Sequence, residues 1–384
     1  MAQRKQYGIG LLGCGFIGKV HMYGHHVMPY YYKDLPWRAR LVGVCTSRAE
    51  TARKAADELC FEFGATDAAK VIEHPDVDVV HICTPNLLHR DELLAAIRAG
   101  KHIYCDKPLT STWDEAKDVL AVLKGYRGMH QMTFHNRFFT GTLRAKQLVQ
   151  EGMLGKLTCF RCVYLHSGSV DPDKELSWKL DAAMGGGVIN DLGTHVIDLM
   201  NDLVGPFDEV LCVSRILFPD RPSGKDARVR VPVEAEDYSV LTVRKADGLV
   251  GTIEATKLAT GAEDDLRFEI HGTRGALRFN LMDPNWLDVY DASAPETPIG
   301  GRRGWTRVAC VQRYESPGGK WPTPKGSIGW LRGHVHCLYN FMDALHSGRK
   351  AEPGLEVGAE VQRIVEAAKR SGNQGGFVRV ASVT

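Results

Sequence analysis

Up to about residue 128, short and continuously apolar runs alternate with stretches of helical period. The runs cover residues 7–12, 41–45, 77–83 and 102–105; the helical patterns cover 19–28, 50–59, 87–99 and 112–124. Pro29 is the expected stop of the first helix, and Gly100 lies just past the third. Thr112 with Glu115 spells a capping box at the start of the fourth. Strands apolar on both faces and separated by helices predict a doubly wound parallel sheet. From about residue 129 the pattern changes. Residues 129–134 fit a crossing strand and 141–150 a helix, and β-like runs follow at 157–165, 210–213, 238–243, 250–255, 266–270 and 276–279. Turns such as Ala246-Asp247-Gly248 and Gly272-Thr273-Arg274-Gly275 link them, and hairpin spacing predicts an antiparallel sheet. Residues 292–325, rich in Gly, Pro and Arg, read as long loops, while 334–345 and 358–370 read as closing helices. The expected division is a first domain over 1–128 and a second over 129–384, with the closing helices able to pack back on the first.

A chain of 384 residues exceeds what one core usually organises, which agrees with two domains. A net charge of +2 without any dense basic run argues against nucleic acid or an anionic membrane as partner. No apolar run approaches the roughly 20 residues of a bilayer span. Arg4 and Lys5 precede an apolar run, as in an export signal, but that run is short, broken by glycines and already used as a strand. Of the 10 cysteines, only Cys159 and Cys162 have C-x-x-C spacing. They fall on a β-like run, where residues three apart point to opposite faces, so no metal site is expected. Scattered thiols fit a reducing cytoplasm.

The candidate chemistry sits where each strand of the first half ends, the edge at which doubly wound sheets bind ligands. After the first run comes Gly13-Cys14-Gly15-Phe16-Ile17-Gly18, a G-x-G-x-x-G between a strand and a helix. Gly13 would allow the tight turn, Gly15 the approach of a pyrophosphate and Gly18 the packing of helix on strand, with the helix start holding the phosphates. After the second strand come Thr46-Ser47-Arg48, with no acid to bind a ribose 2′-hydroxyl. Hydroxyls and a guanidinium suit a 2′-phosphate, which would favour NADP; the alternative is a solvated loop with Arg48 as a surface charge. Later strand ends carry Thr84-Pro85-Asn86 with His89, and Asp106-Lys107-Pro108. Pro108 forces a turn that would hold Lys107 at the nicotinamide end of a cofactor, where a lysine can act as general acid or base. In the second half, Gly185-Gly186-Gly187 opens a helix over 188–203 with Ile189, Leu192, Val196, Leu199 and Leu203 on one face. Asp191, His195 and Asp198 share another face. A carboxylate beside an imidazole can fix its tautomer and raise its basicity; the alternative is a solvated polar face.

Together these residues resemble the Gfo/Idh/MocA oxidoreductase family: the glycine loop 13–18, Thr84-Pro85-Asn86 with His89, Asp106-Lys107-Pro108, and residues 185–199, GGGVINDLGTHVIDL. The resemblance implies an α/β protein with an N-terminal Rossmann domain and a C-terminal α+β domain whose open, mostly antiparallel sheet serves substrate binding and oligomerisation. It implies NAD or NADP as cofactor and hydride transfer to or from a ring hydroxyl of a sugar, glycoside or cyclitol. An open sheet must cover its outer face or leave a large apolar area exposed, so a homodimer or homotetramer is expected. Lys107 matches the lysine of the family's E-K-P motif, and Asp191 and His195 match the acid and histidine of its second catalytic helix. Asp106 stands where the family has glutamate. The family's F-N-x-R appears as Phe134-His135-Asn136-Arg137, which makes His135 and Arg137 candidate substrate contacts. Residues 215–233 and the region of Trp178, a third candidate contact, resemble a branch that includes levoglucosan and glycoside 3-dehydrogenases. Two other classes are compatible with these residues: a redox-neutral sugar-modifying enzyme that retains its cofactor, and a cofactor-binding sensor without catalysis. Retention of Lys107, Asp191 and His195 argues against the sensor.

Overall fold

The computed structural model describes all residues except 1–3, 225–227, 300, 312 and 320. Part of the 215–233 segment and three positions of the 292–325 stretch therefore lie outside the described residues. The chain divides into two units. One comprises Met1–Phe138, Glu315–Pro324 and Leu331–Gln362; the other comprises Phe139–Tyr314, Lys325–Trp330 and Arg363–Thr384.

The first unit begins with β1 (Lys5–Leu12), α1 (Phe16–Tyr31), β2 (Trp37–Cys45), α2 (Ala49–Leu59), β3 (Phe63–Ala65) and α3 (Ala68–Ile72). It continues with β4 (Val79–Ile82), α4 (Asn86–Arg98), β5 (His102–Cys105), α5 (Trp113–Leu123) and β6 (His130–Met132). The six strands form one sheet in the order β3-β2-β1-β4-β5-β6, and every pairing is parallel. β4 is buried along its whole length, as strands covered on both faces must be. The run at 129–134 adds β6 to the edge of this sheet beside β5 rather than crossing to the β-rich half, which carries the first unit past residue 128. Thr112 and Glu115 close the capping box reciprocally, worth about 1 kcal/mol for such a cap. Pro29 does not stop α1. It lies in the last turn, where its missing N–H removes one bond, and Tyr32 N–H still donates to Met28 O at 3.0 Å. β3 and α3 are too short to leave a periodic signal, since three and five residues span less than two turns of either pattern.

The second unit holds α6 (Thr140–Gln150), β7 (Leu157–Leu165), α7 (Thr194–Val204), β8 (Glu209–Arg215), β9 (Asp220–Pro222) and β10 (Arg230–Pro232). Five strands follow: β11 (Tyr238–Arg244), β12 (Val250–Thr256), β13 (Asp265–Gly272), β14 (Gly275–Asn280) and β15 (Trp286–Asp291). β16 (Trp305–Ala309) lies within the stretch expected to be loops, paired with β15. Gly and Pro flank it on both sides, which hid a five-residue strand. α8 (Trp330–Ser347) belongs from Leu331 on to the first unit, α9 (Leu355–Gln374) belongs to the first unit up to Gln362 and to the second from Arg363, and β17 (Val378–Arg379) lies in the second. Both helices run longer than the 334–345 and 358–370 patterns suggest. Val335, Leu338, Phe341, Met342 and Ala344 of α8 belong to the same buried cluster as Ile9, Leu11, Met22 and Tyr104. Each fully buried large side chain there contributes about 1.5–3 kcal/mol.

The large sheet of the second unit runs β16-β15-β14-β13-β7-β12-β11-β8-β17. All its pairings are antiparallel except β7 with β12, which is parallel. These two strands are far apart in sequence, so no hairpin fixes their direction. α6 and α7 cover one face. Burial alternates along β11 and β13, as it must when only one face of a sheet is covered.

Candidate active site

At the carboxyl edge of the first sheet the glycine loop is held from both sides. Gly13 N–H donates to Cys45 O at 2.9 Å, and Gly13 has φ +83°, where a side chain is strained. A Cβ there would also lie 2.5 Å from Cys83 O. One on Gly18 would lie 2.2 Å from Gly13 O, so α1 starts in close contact with the turn. A Cβ on Gly15 meets nothing within 4 Å. Gly15 is the N-cap of α1, no side chain caps the helix, and its first turn carries no acid. Phe16 lies exposed beside it, and Ile17 packs partly buried against the core. This open, uncapped helix end fits a pyrophosphate.

The second and fourth strand ends adjoin it. Thr46 Oγ1 donates to Arg48 O at 3.0 Å and lies 2.6 Å from Thr51 Oγ1, which fixes the loop before α2; Ser47 and Arg48 are exposed. Thr84 Oγ1 donates to Glu92 Oε2 at 2.6 Å. Burial pushes the Glu92 carboxyl up to about 7. Pro85 is the N-cap of α4, and Asn86 and His89 lie buried on its first turns. His89 is a clamp: its Nδ1 lies 2.8 Å from Pro108 O and its Nε2 2.9 Å from Thr84 O. Both ring nitrogens face backbone carbonyls; burial favours the neutral imidazole, which donates to one of the two while the ring sits between the loop after β4 and the loop after β5. Asp106 N–H donates to Ile82 O at 2.9 Å, and Lys107 follows, half-buried, with a cis bond to Pro108. The structure thus gathers the candidates of residues 13–18, 46–48, 84–89 and 106–108 along one sheet edge. His135 and Arg137 lie on a 3-10 turn after β6; His135 is buried and stacks on His334, ring centroids 3.8 Å apart at 17°.

In the second unit the helix starts with a π turn, Ile189–Gly193, that runs into α7. Glu236 caps this start: its Oε1 accepts from Ile189 N–H at 2.9 Å, and its backbone O accepts from Val188 N–H at 2.8 Å. Gly187, φ +109°, is needed because a Cβ would lie 2.5 Å from Glu236 Oε1. The glycine run therefore accommodates the protein's own cap.

The polar face of this helix is not solvated. Asp191, His195 and Asp198 are 9%, 7% and 1% exposed. Buried charges need partners, and Asp191 has two lysines among its own. Lys179 Nζ donates to both carboxylate oxygens at 3.2 Å, and the buried Lys257 forms a second ion pair. Trp178, beside Lys179, is half-buried, with the Lys179 amine 5.8 Å from its ring. The His195 ring meets Tyr164 edge to face at 5.7 Å, and Tyr164 OH donates to Asp264 Oδ1 at 2.6 Å. Lys179, Lys257, Tyr164 and Glu236 escaped the sequence reading because nothing local marks them. Lys257 directly follows β12, a position that could have drawn attention.

Residues 7–134 match the oxidoreductase family with an NAD-binding Rossmann fold, and residues 142–278 match the GFO/IDH/MocA C-terminal domain. Levoglucosan dehydrogenase of Pseudarthrobacter phenanthrenivorans is 34% identical over 98% of both chains. Inositol 2-dehydrogenase of Rhizobium meliloti is 26% identical over 94% of this chain and 96% of its own. A solved levoglucosan dehydrogenase in complex with NADH and levoglucosan superposes with a TM-score of 0.92 at 34% identity, covering 98% of this chain and 100% of that one. The chain belongs to the Gfo/Idh/MocA family of NAD-binding oxidoreductases.

Proposed function

We propose that this protein oxidises a ring hydroxyl of a pyranose sugar, glycoside or cyclitol, with levoglucosan the first substrate to try. The observation that carries this reading is the full-length likeness to levoglucosan dehydrogenase, which spans both units. In this reading Gly13, Gly15 and Gly18, with Phe16 and Ile17, hold the pyrophosphate at the start of α1. Thr46, Ser47 and Arg48 border the adenosine ribose, and Thr84, Pro85, Asn86, Asp106 and Lys107 line the remainder, with His89 holding their loops. The nicotinamide, when bound, accepts or returns the hydride. His195 takes the proton from the hydroxyl, and Lys107 donates a hydrogen bond to the same oxygen and stabilises its developing charge. Asp191, held by Lys179 and Lys257, orients the substrate; His135, Arg137 and Trp178 shape its pocket.

Several finer features belong to the same reading. The exposed Arg48, without a nearby acid among residues 46–48, favours NADP over NAD. Ten free cysteines fit the cytoplasm. Among the described residues no helix is long and apolar enough to cross a membrane. The uncovered sheet face carries Val213 at 60% and Val250 at 42% exposure, which fits a homodimer or homotetramer and is checked by light scattering. A panel of levoglucosan, pyranoses and inositols, screened at 340 nm with both cofactors, tests the whole reading. Reduction of NAD or NADP by at least one member is expected. Loss of NADP preference in Arg48→Ala, of about ten- to a hundredfold for a charged hydrogen bond, is expected with it. No reduction across the panel would overturn the dehydrogenase reading, and equal loss for both cofactors would overturn the role of Arg48.

A further inference from the structure

The first unit contains a cavity of about 300 Å³ that the proposed chemistry does not use. It lies where α1 ends and β2 begins. Met28, Tyr32, Leu35 and Trp37, all buried, form its apolar wall, and Arg4, Asp34 and Arg38 stand exposed at its rim. The candidate cofactor residues lie at the other ends of the same two elements, at Gly15 before α1 and at Thr46-Ser47-Arg48 after β2. β2 has nine residues, about 25–30 Å at the rise of a strand. The cavity therefore opens at the amino edge of the sheet, and the dinucleotide candidates occupy the carboxyl edge.

One polar side chain reaches the depth of this cavity. His25 is 7% exposed and lines it. Its Nε2 is 3.0 Å from His81 Nε2, so Nδ1 is the ring nitrogen left for an occupant. Tyr32 OH is already spent on Pro317 O at 2.5 Å, and the Tyr32 ring stacks on Tyr339 with centroids 3.6 Å apart. Burial, with His26 nearby, pushes His25 down to about 3, so its imidazole is neutral and carries one donor and one acceptor. Nδ1 can donate while Nε2 accepts from His81, or accept while Nε2 donates. It therefore suits a hydroxyl, which can take either part. An apolar side chain would fill this position without polar cost, and a hydrogen bond to an occupant gives the imidazole a reason to be there.

The rim has a different character. The side chains of Arg4, Asp34 and Arg38 make no hydrogen bond or ion pair among the described residues. Two guanidiniums against one carboxylate leave the mouth cationic, and the planar guanidinium matches a carboxylate. A cavity of about 150 Å³ holds benzene, so one of this size takes an aromatic ring with substituents at both ends. We infer that the cavity binds a small aromatic carboxylate with a hydroxyl at the far end of its ring. The carboxylate meets Arg4 and Arg38, the ring packs against Met28, Leu35 and Trp37, and the hydroxyl bonds His25 Nδ1. This site does not depend on the dehydrogenase reading, and its ligand and a dinucleotide are held together at opposite edges of one sheet.

The probe is 4-hydroxybenzoate, titrated by calorimetry into the full chain. It should bind at about 0.1–1 mM, the range for some ten heavy atoms, and equally with and without NAD. Benzoate lacks the hydroxyl and phenol lacks the carboxylate, and each should bind about tenfold more weakly. Arg38→Ala and Arg4→Ala remove exposed side chains; thermal melts establish that each variant folds, and either one suffices. The variant should bind 4-hydroxybenzoate about tenfold more weakly and phenol as the parent does. In 15N-histidine-labelled protein the His25 Nδ1 resonance should move with 4-hydroxybenzoate and stay with benzoate. No binding below about 10 mM, equal affinity in parent and variant, or loss of binding when NAD is present overturns the site. Benzoate binding as tightly as 4-hydroxybenzoate, or a His25 resonance that stays with both, overturns the hydroxyl contact and the ligand class with it. Displacement by equimolar inorganic phosphate shows a guanidinium pair that takes any anion, and likewise overturns the class.

Discussion

At the scale of single residues, the most consequential feature is how many ionisable groups the protein holds neutral. His21, His25 and His336 are pushed down to about 3, and His81 and His334 lie well below the ordinary histidine range, all chiefly through burial. In the unfolded chain each titrates near 6.5. As pH falls below 6.5 the unfolded state binds protons that the folded state refuses, so stability falls with pH toward 3. Each histidine contributes a slope of up to about 1.4 kcal/mol per pH unit. Glu92 acts in the opposite sense: its raised value of about 7 makes the fold bind the extra proton, a stabilisation present below 4.5 and lost as pH rises to 7. One carboxyl does not offset five imidazoles. The melting temperature should therefore drop steadily from pH 6.5 to pH 4.5, and less steeply in His81→Phe; a flat or rising profile over that range would contradict this assignment. None of this was legible in the sequence. His21 and His81 lie sixty residues apart, and only the sheet brings them together.

At the scale of elements, legibility followed periodicity. β1, β2, β4 and β5 are continuous apolar runs and could be read directly, as could the capping box of α5. The glycine loop was readable because each of its glycines answers a separate local demand. Those demands predict different outcomes for neighbouring substitutions. Gly13→Ala places a methyl 2.5 Å from Cys83 O at a positive φ and should cost stability. Gly15→Val points into open space, so the protein should fold with a parent-like melting temperature while cofactor affinity collapses. A folded Gly15→Val protein that titrates cofactor like the parent would remove the pyrophosphate from this loop. What escaped reading was fixed by pairing partners. β16 exists because β15 offers an edge, and the parallel match of β7 with β12 joins segments with no local signal in common. The π turn before α7 is set by Glu236, far along the chain.

At the scale of the whole molecule, the proposed reaction draws on Lys107 of the first unit and on Asp191 and His195 of the second. Lys107 and His195 could be named from motif order, but their surroundings could not. The His89 clamp behind Lys107 and the two lysines on Asp191 come from folding alone. The most direct test is single-turnover and steady-state kinetics of Lys107→Ala, His195→Ala and the double variant, on the substrate that the screen selects. Each single variant should lose about 10²–10⁴-fold in turnover with cofactor affinity nearly unchanged. The double variant should lose less than the product of the two, because groups that serve one oxygen act as a unit. Near-parent turnover in both single variants, or losses that multiply independently, would contradict a shared role for Lys107 and His195.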